Sequence, residues 1–171
     1  MPDKRALILL EDDVNRLVEA LTEYQETTRT LANMVLDTDG HILAQTGESK
    51  VPLETITAFV AASYAATRQV AKILAPDEFI LLTHEGVRSS IELAVVGDRV
   101  VLATIYDEHT TTGVVVFYIR ELVARLSAVV KGVAARKVNP VELAKDFGDD
   151  AKGAIDDLLG SSSDDLGSAE Q

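Results

Sequence analysis

Between residues 79 and 106 three apolar runs follow one another so closely that the chain has few ways to fold: Phe79 to His84, Ile91 to Val96 and Val100 to Tyr106. Glu85-Gly86-Val87-Arg88 and Gly97-Asp98 mark the turns between them. Links this short join antiparallel neighbours, whereas a parallel pair needs a crossover of about a dozen residues or more. The segment therefore predicts a three-stranded meander. In the middle run Ile91, Leu93 and Val95 alternate with Glu92 and Ala94, the pattern of a sheet with one buried face.

The rest of the chain supplies a hairpin and three helices. Leu31 to Leu36 reads as a strand, and His41 to Gln45 as its antiparallel return. Asp37-Thr38-Asp39-Gly40 joins them, since Asp bonds its own backbone and Gly accepts positive φ. Ahead of this hairpin, Val14, Leu17, Val18, Leu21 and Tyr24 hold helical spacing behind Asp12 and Asp13, either of which can cap, and Leu7 to Leu10 form a short extended arm. A long helix is predicted from Leu53 to Ala75, stopped by Pro76, with Ile56, Phe59, Val60, Ser63, Thr67, Val70 and Leu74 toward the sheet. Val114 to Ala135 opens like a strand by propensity. Its longer stripe of Val115, Ile119, Leu122, Leu126, Val129 and Val133 instead predicts a helix.

Length and charge bound the possibilities. A chain of 171 residues with 47% apolar and 26% charged residues supports one globular domain and an appendage. We place the domain at 1–136 and an acidic tail at 137–171. From Asn139 onward nine acidic side chains face only Lys145 and Lys152. Within that tail 151–159 carries Ile155, Leu158 and Leu159, a short amphipathic helix that would form only when docked on something. The formal charge of −12, with no basic run longer than Arg136-Lys137, speaks against nucleic acid and anionic lipid as partners. The apolar stretch Ala6 to Leu10 is too short for a secretory signal or a membrane span, so a cytoplasmic protein without membrane insertion is expected.

Candidate chemistry is sparse. There is no cysteine, hence no thiolate nucleophile or ligand. Asp37, Asp39 and Glu48 occupy positions one, three and twelve of a calcium loop, but Ile42 stands where that loop requires Gly, so a plain turn is the better reading. His84-Glu85 begins a zinc-protease pattern that Arg88 breaks, and His84 reads as a strand-end residue. Asp107-Glu108-His109-Thr110-Thr111 gathers an acid, a base and hydroxyls, which we read as caps for the following helix, because consecutive loop residues point apart. No phosphate-binding glycine loop is present. The expectation is a protein without enzymatic activity, cofactor or metal. The long helix is more informative: Ala58, Ala61, Ala62 and Ala65, continuing into Arg68, Gln69 and Lys72, are either good helix formers or a smooth surface for a partner.

In order, these elements resemble the Roadblock (dynein light chain) family. Val35-Leu36-Asp37, Asp39-Gly40 and Ile42-Leu43 resemble its first hairpin. Ala65-Ala66-Thr67, Ala71-Lys72, Glu78-Phe79 and His84-Glu85-Gly86 resemble its long helix and third strand. Val96-Gly97-Asp98-Arg99 with Asp107, Thr110-Thr111 and Gly113 resembles the last hairpin and the approach to the final helix. The Leu7 to Asp13 arm and the Ile155 to Leu159 segment are similar to the MglB-type regulators of cell polarity and motility within that family. The resemblance implies an α/β (α+β) fold, α-β-β-α-β-β-β-α, with a five-stranded antiparallel sheet and helices on both faces. It implies a homodimer paired through Phe79, Ile80, Leu81, Leu82, Thr83 and His84 and through the long helices. It further implies a GTPase-activating protein for a small Ras-like, MglA-like GTPase, which inserts no catalytic residue and lets the GTPase use its own. Ala58, Ala61, Ala62, Ala65, Arg68, Gln69 and Lys72 would then bind the GTPase, with Ile155, Leu158 and Leu159 a second contact. Arg68 and Gln69 are bulky where that group keeps small residues. This departure leaves room for a scaffold that holds a GTPase complex without activating it, and the sheet architecture also suits a small-ligand sensor.

Overall fold

The computed structural model describes residues 7–48, 52–74 and 81–136. The first helix, α1, runs from Glu11 to Thr28. It starts earlier than its apolar stripe because Asp13 acts from inside the first turn: its carboxylate accepts the Leu10 backbone N–H at 2.9 Å. Asp13 is thus the cap, and Glu11 and Asp12 add negative charge where the helix dipole favours it. Arg29, at φ 56°, ends the helix in the left-handed conformation and bonds Gln25 O.

The hairpin follows as β1 (Ala32–Asp37) and β2 (Ile42–Gly47), then the long helix α2 (Leu53–Leu74). The meander is β3 (Leu81–His84), β4 (Ser89–Val96) and β5 (Val100–Asp107), and α3 (Thr112–Ala135) closes the order. The sheet is antiparallel, in the order β2-β1-β5-β4-β3. The expected class, element order and five-stranded sheet are therefore present. Gly47 shows why β2 ends where it does. At φ 76° it sits so close to α1 that a Cβ would lie 2.1 Å from Leu31 O and 2.5 Å from the Gln25 amide nitrogen.

Helices cover both faces. On one, Leu17, Leu21 and Tyr24 of α1 and Ile119, Leu122 and Leu126 of α3 bury Val35, Val96, Val100 and Leu102. On the other, Leu53, Val60 and Tyr64 of α2 lie over Met34, Leu36, Leu93, Val101 and Ala103. This corrects the reading of β4. Its alternation does not mark a solvated face, because Glu92 and Ala94 are buried under α1 and α3 while Leu93 is buried under α2. The register lines up Asn33, Thr104, Glu92 and Thr83 across β1, β5, β4 and β3, a polar row within an apolar layer. Asn33, Thr104 and Glu92 have no accessible surface.

The stripe expected on α2 also needs correction. Phe59 and Val70 are about half exposed rather than against the sheet. The helix touches the sheet along a narrower line of Leu53, Val60 and Tyr64, and Phe59 and Val70 lie to one side of it. Tyr64, absent from the expected stripe, is a core residue whose hydroxyl reaches out to Asp98 O at 3.3 Å. In α3 the helical period prevails over β propensity as expected: Val115, Ile119, Leu122, Leu126 and Val133 are buried. Thr111 caps this helix by accepting the Val114 N–H, whereas Asp107 accepts from the His109 backbone and ring, so that acid stabilises the preceding turn instead.

Candidate functional site: the outer face of the long helix

Opposite its buried line, α2 presents a ridge of small residues. Ala58, Ala62 and Ala65 are exposed and point away from the sheet, followed by exposed Gln69; Ala61 is half-buried on the flank. Alanine keeps the helix well formed without side chains that would hold a partner at a distance. Two turns border the ridge. The Cβ position of Gly40, in the β1–β2 turn, is 3.7 Å from the Ala61 side chain, and the Thr38 N–H bonds Arg99 O of the β4–β5 turn. Helix and turns thus form one continuous platform.

Arg68 is the residue that sequence pattern would place as an obstacle on this platform, yet its guanidinium lies along the margin. It donates to Asp98 O at 2.7 Å and to the Tyr64 hydroxyl at 3.0 Å, and stacks 5.7 Å from the Tyr64 ring centre. An arginine so held fastens the β4–β5 turn to α2 and leaves the ridge of Ala58, Ala62 and Ala65 clear. Lys72 belongs to the same helix.

Charge at the platform's end is set by the β1–β2 turn. Burial pushes the Asp37 carboxyl up, but hydrogen bonds from the His41 backbone and ring and from the Asp39 backbone outweigh it and hold it below its usual range. The hydrogen bond to Asp37 in turn raises the exposed His41. Asp37, Asp39 and His41 bring their ligand atoms within 4.8 Å of one another, whereas Glu48 does not join them. Because the Asp37 oxygens already accept hydrogen bonds from Asp39 and His41, the arrangement is that of a braced turn, as the sequence suggested.

The other flank of α2 faces β3. Phe59 packs its ring against His84, with centroids 5.1 Å apart. Val70 and Ile73 are exposed, Ile73 by 81%. Among the described residues β3 is an edge strand with only β4 beside it, so Leu81, Leu82, Thr83 and His84 offer an open row of backbone groups. Phe79 and Ile80, and the tail residues Ile155, Leu158 and Leu159, lie outside the described residues. The exposed Phe59, Val70 and Ile73 were not singled out from sequence, because helical spacing alone assigned Phe59 and Val70 inward. Beneath α2, a cavity of about 10 Å³ lined by Tyr64, Thr67, Leu82 and Leu93 is too small for a ligand. No helix among the described residues is long and apolar enough to cross a membrane.

No protein-family model matches the sequence, and none of the curated proteins does. Solved structures do match. The gliding protein MglB from Thermus thermophilus aligns with a TM-score of 0.68 at 25% identity, covering 76% of this chain and 99% of that one. A structure of MglB with a tetrameric arrangement aligns with a TM-score of 0.70, also at 25% identity, covering 77% and 99%. The Roadblock/LC7 domain from Streptomyces avermitilis shares the fold, with a TM-score of 0.52 at 13% identity over 68% of this chain and 93% of its own. With the element order, sheet order and helix placement described above, these likenesses support a Roadblock-family protein similar to MglB.

Proposed function

We propose that this chain is a homodimeric regulator that binds a small Ras-like, MglA-like GTPase and stimulates its GTP hydrolysis while contributing no catalytic residue. The observation that carries the reading is the clear, exposed ridge of Ala58, Ala62 and Ala65 on a fold that aligns with 99% of MglB and about three quarters of this chain. Ala61, Arg68, Gln69 and Lys72 complete the binding surface. A smooth helix face can press on a mobile switch loop and fix it in the geometry that hydrolysis needs, so that the stabilisation of the γ-phosphate comes from the GTPase itself.

The dimer closes through the open edge of β3, Leu81 to His84, together with Phe79, Ile80 and the Phe59, Val70 and Ile73 flank of α2. Covering that edge removes a row of unpaired backbone groups and an apolar strip. The tail residues Ile155, Leu158 and Leu159 provide a second, tethered contact on the GTPase. Regulation of polarity or motility in the cytoplasm follows from the same reading.

Single-turnover phosphate release from a GTP-loaded GTPase of this type tests the reading. The protein should accelerate it, and Ala65→Arg should abolish both acceleration and binding while leaving the thermal midpoint within about 2 °C, as for an exposed substitution. Binding without acceleration would favour the scaffold. Absence of binding to any such GTPase would overturn the proposal.

A further inference from the structure

The bulky apolar side chains that α3 leaves exposed all lie in its first two turns: Val114 at 38%, Phe117 at 74% and Tyr118 at 36%. The Phe117 and Tyr118 rings meet edge to face at 5.0 Å. The same outward stripe continues at alternating spacings of three and four through Glu121, Ala124, Ala128, Lys131 and Ala135, all exposed, with Gly132 beside it. Spacing of this kind is the seam of a helix pair. Gly132 is the unexpected member. A Cβ there would meet nothing within 4 Å, so packing among the described residues gives no reason for the poorest helix former short of proline.

We propose that this face is a contact between two copies of the chain, α3 packed antiparallel against α3. The stripe is self-complementary in that direction alone. A two-fold axis passing beside Ala124 and Arg125 sets Phe117 of one copy over Gly132 of the other, Val114 over Ala135, and Glu121 over Ala128. Val114, Phe117 and Glu121 of the first half thus each meet a small residue of the second, and every pairing occurs twice. Parallel packing would instead set Phe117 against Phe117 and leave a gap along the alanines. Charge favours the same register: the only acid on the stripe, Glu121, comes within a turn of the second copy's Lys131, and Tyr118 comes beside that lysine, while Arg125 stays paired with Glu23 of its own α1. The outer face of α1, by contrast, carries Glu11, Asp12, Glu19, Glu23 and Glu26 and would repel its own copy.

The seam is about 30 Å long, the length of 22 helical residues, and about 10 Å wide, so it buries well under the ~1,200 Å² of a standard stable interface. It is a weak contact that acts when the copies are already gathered. It uses the sheet face opposite α2 and is independent of the dimer through β3.

The absence of cysteine gives a clean test. Ala124→Cys introduces a single thiol next to the axis and should form a disulfide-linked pair under mild oxidation. Ala135→Cys, at the helix end, should not, because the second copy presents Val114 there. Adding Phe117→Glu to Ala124→Cys should abolish the link. In sedimentation velocity at concentrations where copies paired through β3 associate further, Gly132→Leu, which fills the hole at an exposed position, should weaken that further association by about tenfold or more, as loss of an aromatic anchor's pocket does. Equal cross-linking at 124 and 135, or cross-linking at 124 that survives Phe117→Glu, would overturn the proposal. So would unchanged association beyond the β3-paired dimer in the Gly132→Leu protein with its helical circular dichroism intact. A face that takes an unrelated protein instead would give no link at 124, which also refutes it.

Discussion

Glu92 is the least expected residue of the core, and its replacement by Gln is the sharpest test of how the sheet is built. The side chain has no accessible surface, and one carboxylate oxygen accepts the Thr83 hydroxyl at 2.7 Å. Burial raises its pKa, against the opposing effects of the Thr83 hydrogen bond and of His84. A group whose folded pKa lies above the unfolded value contributes stability that is complete below the unfolded pKa and lost as pH rises through the folded one. Gln keeps the size and the acceptor for Thr83 but cannot ionise. Near pH 4.5, the carboxyl's ordinary value, the two proteins should therefore melt together. At pH 8 the raised pKa costs wild type stability that Gln does not lose, whether the buried group ionises or keeps its proton, and a buried polar atom left without a partner costs about 1–3 kcal/mol. At about 2–4 °C per kcal/mol for a chain of this size, Glu92→Gln should melt several degrees higher there. Differential scanning calorimetry of both proteins from pH 4.5 to 8 measures this. A midpoint difference that does not change with pH, or that turns against Gln at pH 8, would refute the reasoning.

Three further substitutions separate the contributions of local geometry. Gly47→Ala should cost more than ~1–3 kcal/mol in urea unfolding, since φ 76° strain adds to the overlap with Leu31 O, whereas Gly97→Ala, at φ 64° with nothing within 4 Å, should cost only the backbone part. Arg68→Ala should lower stability by about 1 kcal/mol through loss of the bonds to Asp98 and Tyr64, and Arg68→Lys should not restore it, because an ammonium cannot both stack and fork. Phe59→Glu, at a half-exposed position, should leave the folded monomer intact by circular dichroism and shift light scattering from dimer to monomer; a dimer of unchanged mass would exclude this flank from the seam.

The fold was readable where one rule acted alone. Short connections fixed the meander and the first hairpin, and a stripe repeated from Val115 to Val133 outweighed the strand-like opening of α3. Reading failed where a residue's partner was distant in sequence. Glu92 looked like a solvent-facing position because alternation says which residues share a face, not what lies above it, and α1 and α3 are remote in sequence from β4. Phe59 and Val70 looked buried because hydrophobicity counts the same on any side of a helix. Tyr64 looked like neither, since only its ring is buried and its hydroxyl finds the β4–β5 turn. The alanine ridge was visible as a pattern, but that Arg68 leaves it clear depends on Asp98, thirty residues away.

These failures share a cause that bears on function. A helix lying on a sheet has one face specified by the core, and whatever stands on the remaining face is free of that constraint. On α2 the unconstrained side is divided. The direction straight outward carries alanine, while the flank toward β3 carries Phe59 and Val70 beside an open strand edge. Uncommitted surface would be expected to mix polar residues over both regions, because exposed Phe and Val gain nothing from water. The sorting of small from large side chains on adjacent strips of one helix suits the two occupants of the proposed function: a copy of the chain that needs buried apolar area, and a partner that needs close approach. Since both strips share a single rigid helix, loss of one occupant should be felt by the other. If the proposed function holds, disrupting the Phe59 flank is expected to reduce the acceleration of GTP hydrolysis even though the alanine ridge itself is untouched.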